Sequence, residues 1–300
     1  MDSRPIITVK AHARPVLLYR CLSALEKCWG IEKYPVVISV DLLDSIPMKE
    51  QTLTAVEQSN IANKCGEVEI VWHDQRLGCP GNAQYCLSRG FESGAPYTIH
   101  LEDDILFAPD CLSYLEWTVK RLDGGNYFAA CTYNRPCHQK TAPHSADIVK
   151  TASKKLFDGS GGLAMTSARW RKIQAMGGMF GVNYISDAGR KFDCRGTEWL
   201  SEIRKQNLPD PTSLSWVWPF DKFFSQEDNI HLPSVYPIVN RSLNIGKRGL
   251  HVKSEQEHSQ LQYNQHWTGG AYEPINQFLD EITIDNNKYI EDGIEHVDPT

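Results

Sequence analysis

The chain reads as an α/β protein with a mostly parallel central sheet flanked by helices. Three observations predict this class. Over the first 130 residues, short β-branched runs alternate with helical patterns, the arrangement that builds parallel sheets. The run PVVISV at 35–40 is apolar almost throughout, as a strand covered on both faces must be. The cluster Glu102-Asp103-Asp104 directly follows the strand-like run YTIHL at 97–101. That is the carboxyl end of a strand, where open α/β sheets bind their ligands.

The elements follow in order. Residues 5–10 (PIITVK) make a first strand. After Pro15, the positions Leu18, Cys21, Leu22, Leu25 and Cys28 recur at helical spacing and supply an apolar face. The strand at 35–40 ends at Asp41, and a helical stretch near 47–62 leads to a third strand, VEIVW, at 68–72. A helix near 81–91 precedes the fourth strand at 97–101. A helix from Asp110 to about Arg121 comes after the acidic cluster, with Asp110 as its N-cap. Further on, YFAACTY at 127–133 reads as a strand, and LFDGSGGLAMTS at 156–167 as a glycine-rich strand and turn before a helix at 168–176. Residues 177–215 are polar and loop-rich, followed by the aromatic stretch WVWPFDKFF at 216–224, a last strand and the basic loop GKRGLH at 246–251.

Composition narrows the function classes. With 41% hydrophobic and 23% charged residues, a disordered chain, a collagen-like fibre and a coiled coil are excluded. No apolar run approaches the roughly 20 residues that cross a bilayer. Strand-like sequence starts almost at once with no secretory signal, so the expectation is a soluble cytoplasmic protein, with a microbial or viral source. The nine cysteines show no C-x-x-C spacing and read as reduced, mostly buried thiols. Residues 271–300 hold eight acids against one lysine, a net of −7, so the other 270 residues carry about +1 of the total of −6. The acidity belongs to a C-terminal tail, 271–300. At this length a single domain over 1–270 is expected, with its halves meeting near 125.

The loop after the first strand, Ala11-His12-Ala13-Arg14, has no glycine, so it lacks the dinucleotide-binding fingerprint, and no G-x-x-x-x-G-K-[ST] occurs. The acidic cluster is what remains. Three consecutive carboxylates repel one another, and Mg²⁺ or Mn²⁺, which favour one or two carboxylates plus phosphate oxygens, would relieve that repulsion. Such an ion suits the diphosphate of a nucleotide sugar. Solvated loop acids are the plainer alternative.

Leu101-Glu102-Asp103-Asp104 followed by Ala108-Pro109-Asp110 closely resembles the metal-site segment of the animal N-acetylglucosaminyltransferase I family. The likeness continues in chain order. Arg14, at the head of RPVLLYRCLSALEK, resembles that family's arginine after strand one, and Asp41 its uracil-contacting aspartate. YFAACTYNR (127–135) and Gly159-Ser160-Gly161-Gly162-Leu163 resemble the next two strands. Trp218-Pro219-Phe220-Asp221 is similar to the segment bearing the catalytic base. Asn240-Arg241-Ser242 and Gly246-Lys247-Arg248-Gly249 are similar to the late loop that touches the diphosphate. The resemblance spans roughly residues 5–265. It departs at Lys222, where the family tends to a second acid, and at His251, where it has a small hydroxyl residue; the family's Golgi anchor and separate C-terminal domain have no counterpart here.

The resemblance implies a GT-A fold, with a Rossmann-like nucleotide-sugar half and an acceptor half, and a metal-dependent glycosyltransferase. Asp104 would be the direct ligand of Mn²⁺ (or Mg²⁺), with Glu102 and Asp103 touching ribose or bound water. Arg14 and Asp41 would grip diphosphate and nucleobase, although Asp41 also reads as a helix N-cap. Asn82 is a marginal candidate near the base. Asp221 would be the general base of an inverting transfer, with Glu227 and Asp228 in competition. Lys247 and Arg248 would stabilise the departing diphosphate. His251 would bind either the metal or phosphate, or lie exposed. The donor implied is UDP-GlcNAc or another UDP-hexose, and the acceptor a glycan, a protein or a hydroxylated nucleobase. The rivals are a metal-dependent phosphohydrolase or nuclease, and a non-catalytic nucleotide-sugar-binding module.

Overall fold

In a computed structural model of the chain, the described residues are 3–121 apart from 44 and 93, then 128–133, 149–152, 161–175, 183–185, 191–193, 202, 205–206, 234–237, 240–246 and 294–296. The first half runs β1 (Ile6–Ala11), α1 (Pro15–Leu25), a 3₁₀ turn (Ile31–Lys33), β2 (Val36–Val40), α2 (Ile46–Gln58), α3 (Ile61–Cys65), β3 (Val68–Trp72), α4 (Gly78–Phe91), β4 (Tyr97–Glu102), β5 (Ile105–Phe107) and α5 (Cys111–Arg121). The remainder supplies β6 (Ala130–Cys131), β7 (Val149–Ala152), β8 (Leu163–Thr166), α6 (Ser167–Ala175), β9 (Asn183–Ile185), β10 (Lys191–Asp193), β11 (Ser234–Pro237), β12 (Ser242–Asn244) and β13 (Ile294–His296).

The main sheet has the order β13-β7-β11-β6-β8-β4-β1-β2-β3. β3, β2, β1 and β4 run parallel to one another, and β8 pairs antiparallel with β4 and β6. The expected α/β class with a mostly parallel central sheet is therefore the observed one. In the order 3-2-1-4 the chain reverses direction of travel between β1 and β4, and that switch point is where a crevice opens at the strands' carboxyl ends. The loops leaving β1 and β4 meet there. β13, from the stretch expected as an acidic tail, pairs parallel with β7 at the sheet's edge; the rest of that stretch lies outside the described residues.

Alternation along the strands sends side chains into two cores, one on each face. Ala130, Ala164 and Val235 join the cluster that holds Leu18, Cys21, Leu22 and Leu25 of α1 and Leu112 and Leu115 of α5. Their neighbours Cys131, Leu163, Met165 and Tyr236 join the other, with Ala83 and Leu87 of α4 and Trp170 of α6. Each fully buried leucine here stabilises the fold by about 1.5–3 kcal/mol. The seven described cysteines are all free, and all but Cys79 are buried. Among the described residues no helix is long and apolar enough to cross a membrane.

Three boundaries differ from expectation. The helix near 47–62 is split into α2 and α3 by Asn60, whose φ of 59° belongs to the left-handed region that asparagine tolerates. The helix expected near 81 starts at Gly78, because the Asp41 carboxylate reaches across to accept the N–H groups of Leu77 (2.7 Å) and Gly78 (2.9 Å). Those donors have no partner inside the helix, and Pro80 in the first turn forfeits none. Of the strand expected at 127–133, only Ala130–Cys131 is laddered. Thr132 stays against the residues that lead into β8, giving its N–H to Gly162 O (3.1 Å) and its hydroxyl to Gly161 O (2.7 Å).

Candidate active site

The register between β1 and β4 sets Lys10 beside Glu102. Lys10 Nζ donates to Glu102 Oε1 at 2.5 Å and to Cys79 Sγ, in the first turn of α4, at 3.0 Å. Burial works against the Lys10 charge, but Cys79 and Glu102 outweigh it, so its pKa is raised. Glu102 moves up as well, because burial outweighs the attraction of Lys10 and Asp104 repels it.

The two aspartates turn toward the other loop. Asp103 Oδ2 accepts the His12 backbone N–H at 3.2 Å, and its Oδ1 is paired with Arg14 Nη2. Arg14 Nη1 donates to Asp104 Oδ2 at 2.8 Å, so one guanidinium straddles both carboxylates. Burial raises the Asp103 carboxyl's pKa, opposed by Arg14. Arg14 itself is raised: burial pulls it down, and Asp103 and Asp104 more than compensate. The mutual repulsion of the triplet is thus answered from within the chain by Lys10 and Arg14, a solution the sequence argument for a divalent ion did not anticipate.

Asp104 differs from its two neighbours. Its Oδ1 is buried with no hydrogen-bond partner, a costly state for a carboxylate oxygen. Its carbonyl accepts the N–H of Ile245 at 2.8 Å, an extension of the antiparallel ladder between β5 and β12. Gly246 then lies so close that a Cβ there would collide with Asp104 Oδ2. The late loop is held down by Arg241, whose Nε donates to Asp110 Oδ2 at 2.8 Å with both side chains 2% exposed. Arg241 also lies over the Tyr114 ring, 5.7 Å from its centroid.

These residues fit a divalent ion in one specific way. Among the described residues no group of three or more His, Cys, Asp or Glu is arranged to hold a metal. What exists is an unpartnered, buried carboxylate oxygen, Asp104 Oδ1, on a side chain whose other oxygen lies against Gly246. Mg²⁺-type sites commonly use one or two carboxylates and complete their shell with water and phosphate oxygens.

The other expected residues fall into two groups. Asp41 is buried, its Oδ1 also taking the Leu42 N–H at 2.9 Å, so it braces the start of α4. Asn82 is buried between strands: its amide N donates to Ala11 O (3.3 Å) and Ser39 O (3.1 Å), and its Oδ1 accepts the Ser39 hydroxyl. Both are tied by these bonds into the backbone around the carboxyl ends of β1 and β2. Asp221, Lys247, Arg248 and His251, with Glu227 and Asp228, lie outside the described residues. Lys10 and Cys79 were missed in the sequence. The available signal was a lysine inside a strand otherwise fit for burial on both faces.

No family model and no curated protein matches the chain. Among solved structures, it is similar to TarS 1–349 of S. aureus at 11% identity and a TM-score of 0.39, covering 85% of this chain and 62% of that one. It is similar to the mannosyltransferase PcManGT of Pyrobaculum calidifontis, in complex with GDP-Man and Mn²⁺, at 17% identity and a TM-score of 0.43, covering 96% and 70%. Mouse xyloside xylosyltransferase 1 follows at 9% identity and a TM-score of 0.38, covering 76% and 84%. The chain thus spans under two thirds of the TarS fragment's length. At this distance no activity passes from these proteins to this chain.

Proposed function

We propose that the chain is a GT-A glycosyltransferase that moves a sugar from a nucleotide sugar to an acceptor hydroxyl with the help of a divalent metal. The observation that supports it most is the unpartnered Asp104 Oδ1 at the β1/β4 switch point, beside a guanidinium placed for phosphate. The ordered resemblance to the N-acetylglucosaminyltransferase I family agrees with it.

In this reading the nucleotide lies across the carboxyl ends of β1, β2 and β4, its base toward the turn braced by Asp41 and Asn82. The donor is UDP-GlcNAc or another UDP-hexose. Mn²⁺ or Mg²⁺ held by Asp104, with His251 as a second ligand or a phosphate contact, would neutralise charge gathering on the diphosphate. Arg14, Lys247 and Arg248 bind the same oxygens through charge-assisted hydrogen bonds. Asp221 takes the proton of the acceptor hydroxyl as its oxygen attacks the anomeric carbon. The bond from that carbon to the phosphate oxygen breaks, and the product is inverted. The acceptor is a glycan, a protein or a hydroxylated nucleobase. The acids form one triplet on one strand end, whereas two-metal hydrolases gather theirs as a bridging pair, which disfavours the phosphohydrolase and nuclease reading.

Calorimetric titration of UDP and several UDP-sugars, with Mn²⁺ and with EDTA, tests this for the unmodified chain and for Asp104→Asn. Metal-dependent UDP binding lost in Asp104→Asn is expected. Absence of uridine-nucleotide binding under every metal condition would overturn the donor assignment, and release of sugar phosphate or cleaved nucleic acid would replace it with the hydrolase.

A further inference from the structure

Arg14 occupies a place with two possible uses. Its guanidinium is the counter-ion of both aspartates, yet the side chain is 30% exposed, while those of Asp103 and Asp104 are 1% and 12% exposed. The carboxylates are therefore fixed and the cation can leave. Asp104 is enclosed on its Oδ2 side by Arg14 Nη1 and the Gly246 backbone, and its buried Oδ1 has no partner.

A dication bound to Oδ1 would stand within a few ångströms of Nη1, two like charges sharing one carboxylate where little water can screen them. Asp103 offers no relief, since its Oδ2 is held by the His12 N–H and its Oδ1 by the same guanidinium. Lys10 is committed to Glu102 and Cys79, so among the described residues the cation paired with Asp104 is Arg14.

We propose that Arg14 is a resident cation that competes with the divalent metal for Asp104, so that the ion loads only as Arg14 swings away to a newly arrived diphosphate. This rests on the nucleotide-sugar reading above. It makes metal and nucleotide binding mutually supportive. Alone, the ion must displace Arg14 at full cost; with the diphosphate present, the displaced guanidinium gains a new anionic partner. Arg14 is thereby a positioning residue that orders the binding of the two.

The test is Mn²⁺ binding to the full chain without nucleotide, followed by the electron paramagnetic resonance of the free ion, for the unmodified protein, Arg14→Met and Arg14→Ala. Removing the resident cation is expected to tighten Mn²⁺ binding by about tenfold or more, as loss of a close like charge does. Methylguanidinium added to Arg14→Ala is expected to weaken Mn²⁺ binding again, which a purely structural role for Arg14 would not produce. In the unmodified protein, UDP is expected to tighten Mn²⁺ binding, and that coupling is expected to shrink in Arg14→Met. If Arg14→Met does not fold, Arg14→Lys serves, since an ammonium cannot straddle both carboxylates; an intermediate tightening is expected. Unchanged or weaker Mn²⁺ binding in the folded variants overturns the proposal. If the unmodified protein still binds UDP with Mn²⁺, the underlying reading survives that failure. Failure of every form to bind Mn²⁺, with or without UDP, removes both.

Discussion

Lys10 and Glu102 stand opposite one another on neighbouring parallel strands, Nζ to Oε1 at 2.5 Å, with side chains 9% and 13% exposed. Neither charge has much water to fall back on, so each depends on the other. Breaking such a pair by removing one partner costs more than forming it gains, because a buried charge is left behind.

Lys10→Met is accordingly expected to lower unfolding free energy by about 3–5 kcal/mol, the range for one partner of a buried pair. Adding Glu102→Gln to Lys10→Met removes the orphaned charge, and the double variant is expected to recover part of the loss. Urea denaturation of the single and double variants decides it. A loss under about 1 kcal/mol in Lys10→Met would mean the pair behaves as a solvent-exposed one.

Acid sensitivity follows from His100, which is fully buried. Burial first, and then the nearby Lys10 charge, hold its pKa well below the ordinary value of about 6.5. The unfolded chain therefore takes up a proton at a pH where the folded chain does not. Stability is full above about pH 6.5 and is lost as pH falls below it, at up to about 1.4 kcal/mol per pH unit from this group. His100→Gln is expected to flatten this part of the profile between pH 7 and 5 in chemical denaturation. An identical slope in the variant would assign the acid limb to other groups.

Gly246→Ala is expected to disturb the site more than the fold. Its Cβ would strike the Asp104 carboxylate, the tip of a side chain and not backbone, so the carboxylate must shift. Metal-dependent UDP affinity is expected to fall by about tenfold, with stability changed by no more than about 1–3 kcal/mol as for other overpacked positions. Calorimetry alongside thermal unfolding separates the two effects. Unaltered affinity would show that Asp104 does not need its present position.

Arg241→Met should detach the late loop. The substitution strands the Asp110 carboxylate where both side chains are 2% exposed, with an expected cost of about 3–5 kcal/mol. Amide hydrogen exchange is expected to rise at Ile245, whose N–H is bonded to Asp104 O. Unchanged protection there would show that β12 holds without its anchor.

The parallel half of the fold was legible because its signal is local. PVVISV and VEIVW hold their apolar and β-branched character within a few residues, and β2 and β3 lie where that pattern put them. The break at Asn60 depends on one backbone conformation that asparagine tolerates without requiring. At the site, the triplet's position at a strand end was readable, whereas its partners were not. Arg14 meets Asp103 and Asp104 across 89 and 90 residues, and Lys10 meets Glu102 across 92, separations that no spacing rule encodes. Asp41 shows the same limit: its bonds to the N–H groups of Leu77 and Gly78 cross 36 and 37 residues, and nothing local in the sequence announces them.

The β1–β4 pairing also has a consequence for synthesis on the ribosome. β1 emerges about 90 residues ahead of the strand that flanks it on one side, and β2 covers only its other edge. Until β4 arrives, that edge offers unpaired backbone groups to any passing strand, and Lys10 has no carboxylate beside it. A lysine carried on an edge strand discourages such pairing. The same ammonium that neutralises Glu102 in the folded sheet is, while β4 is missing, a charge of the kind that disfavours strand addition at that edge.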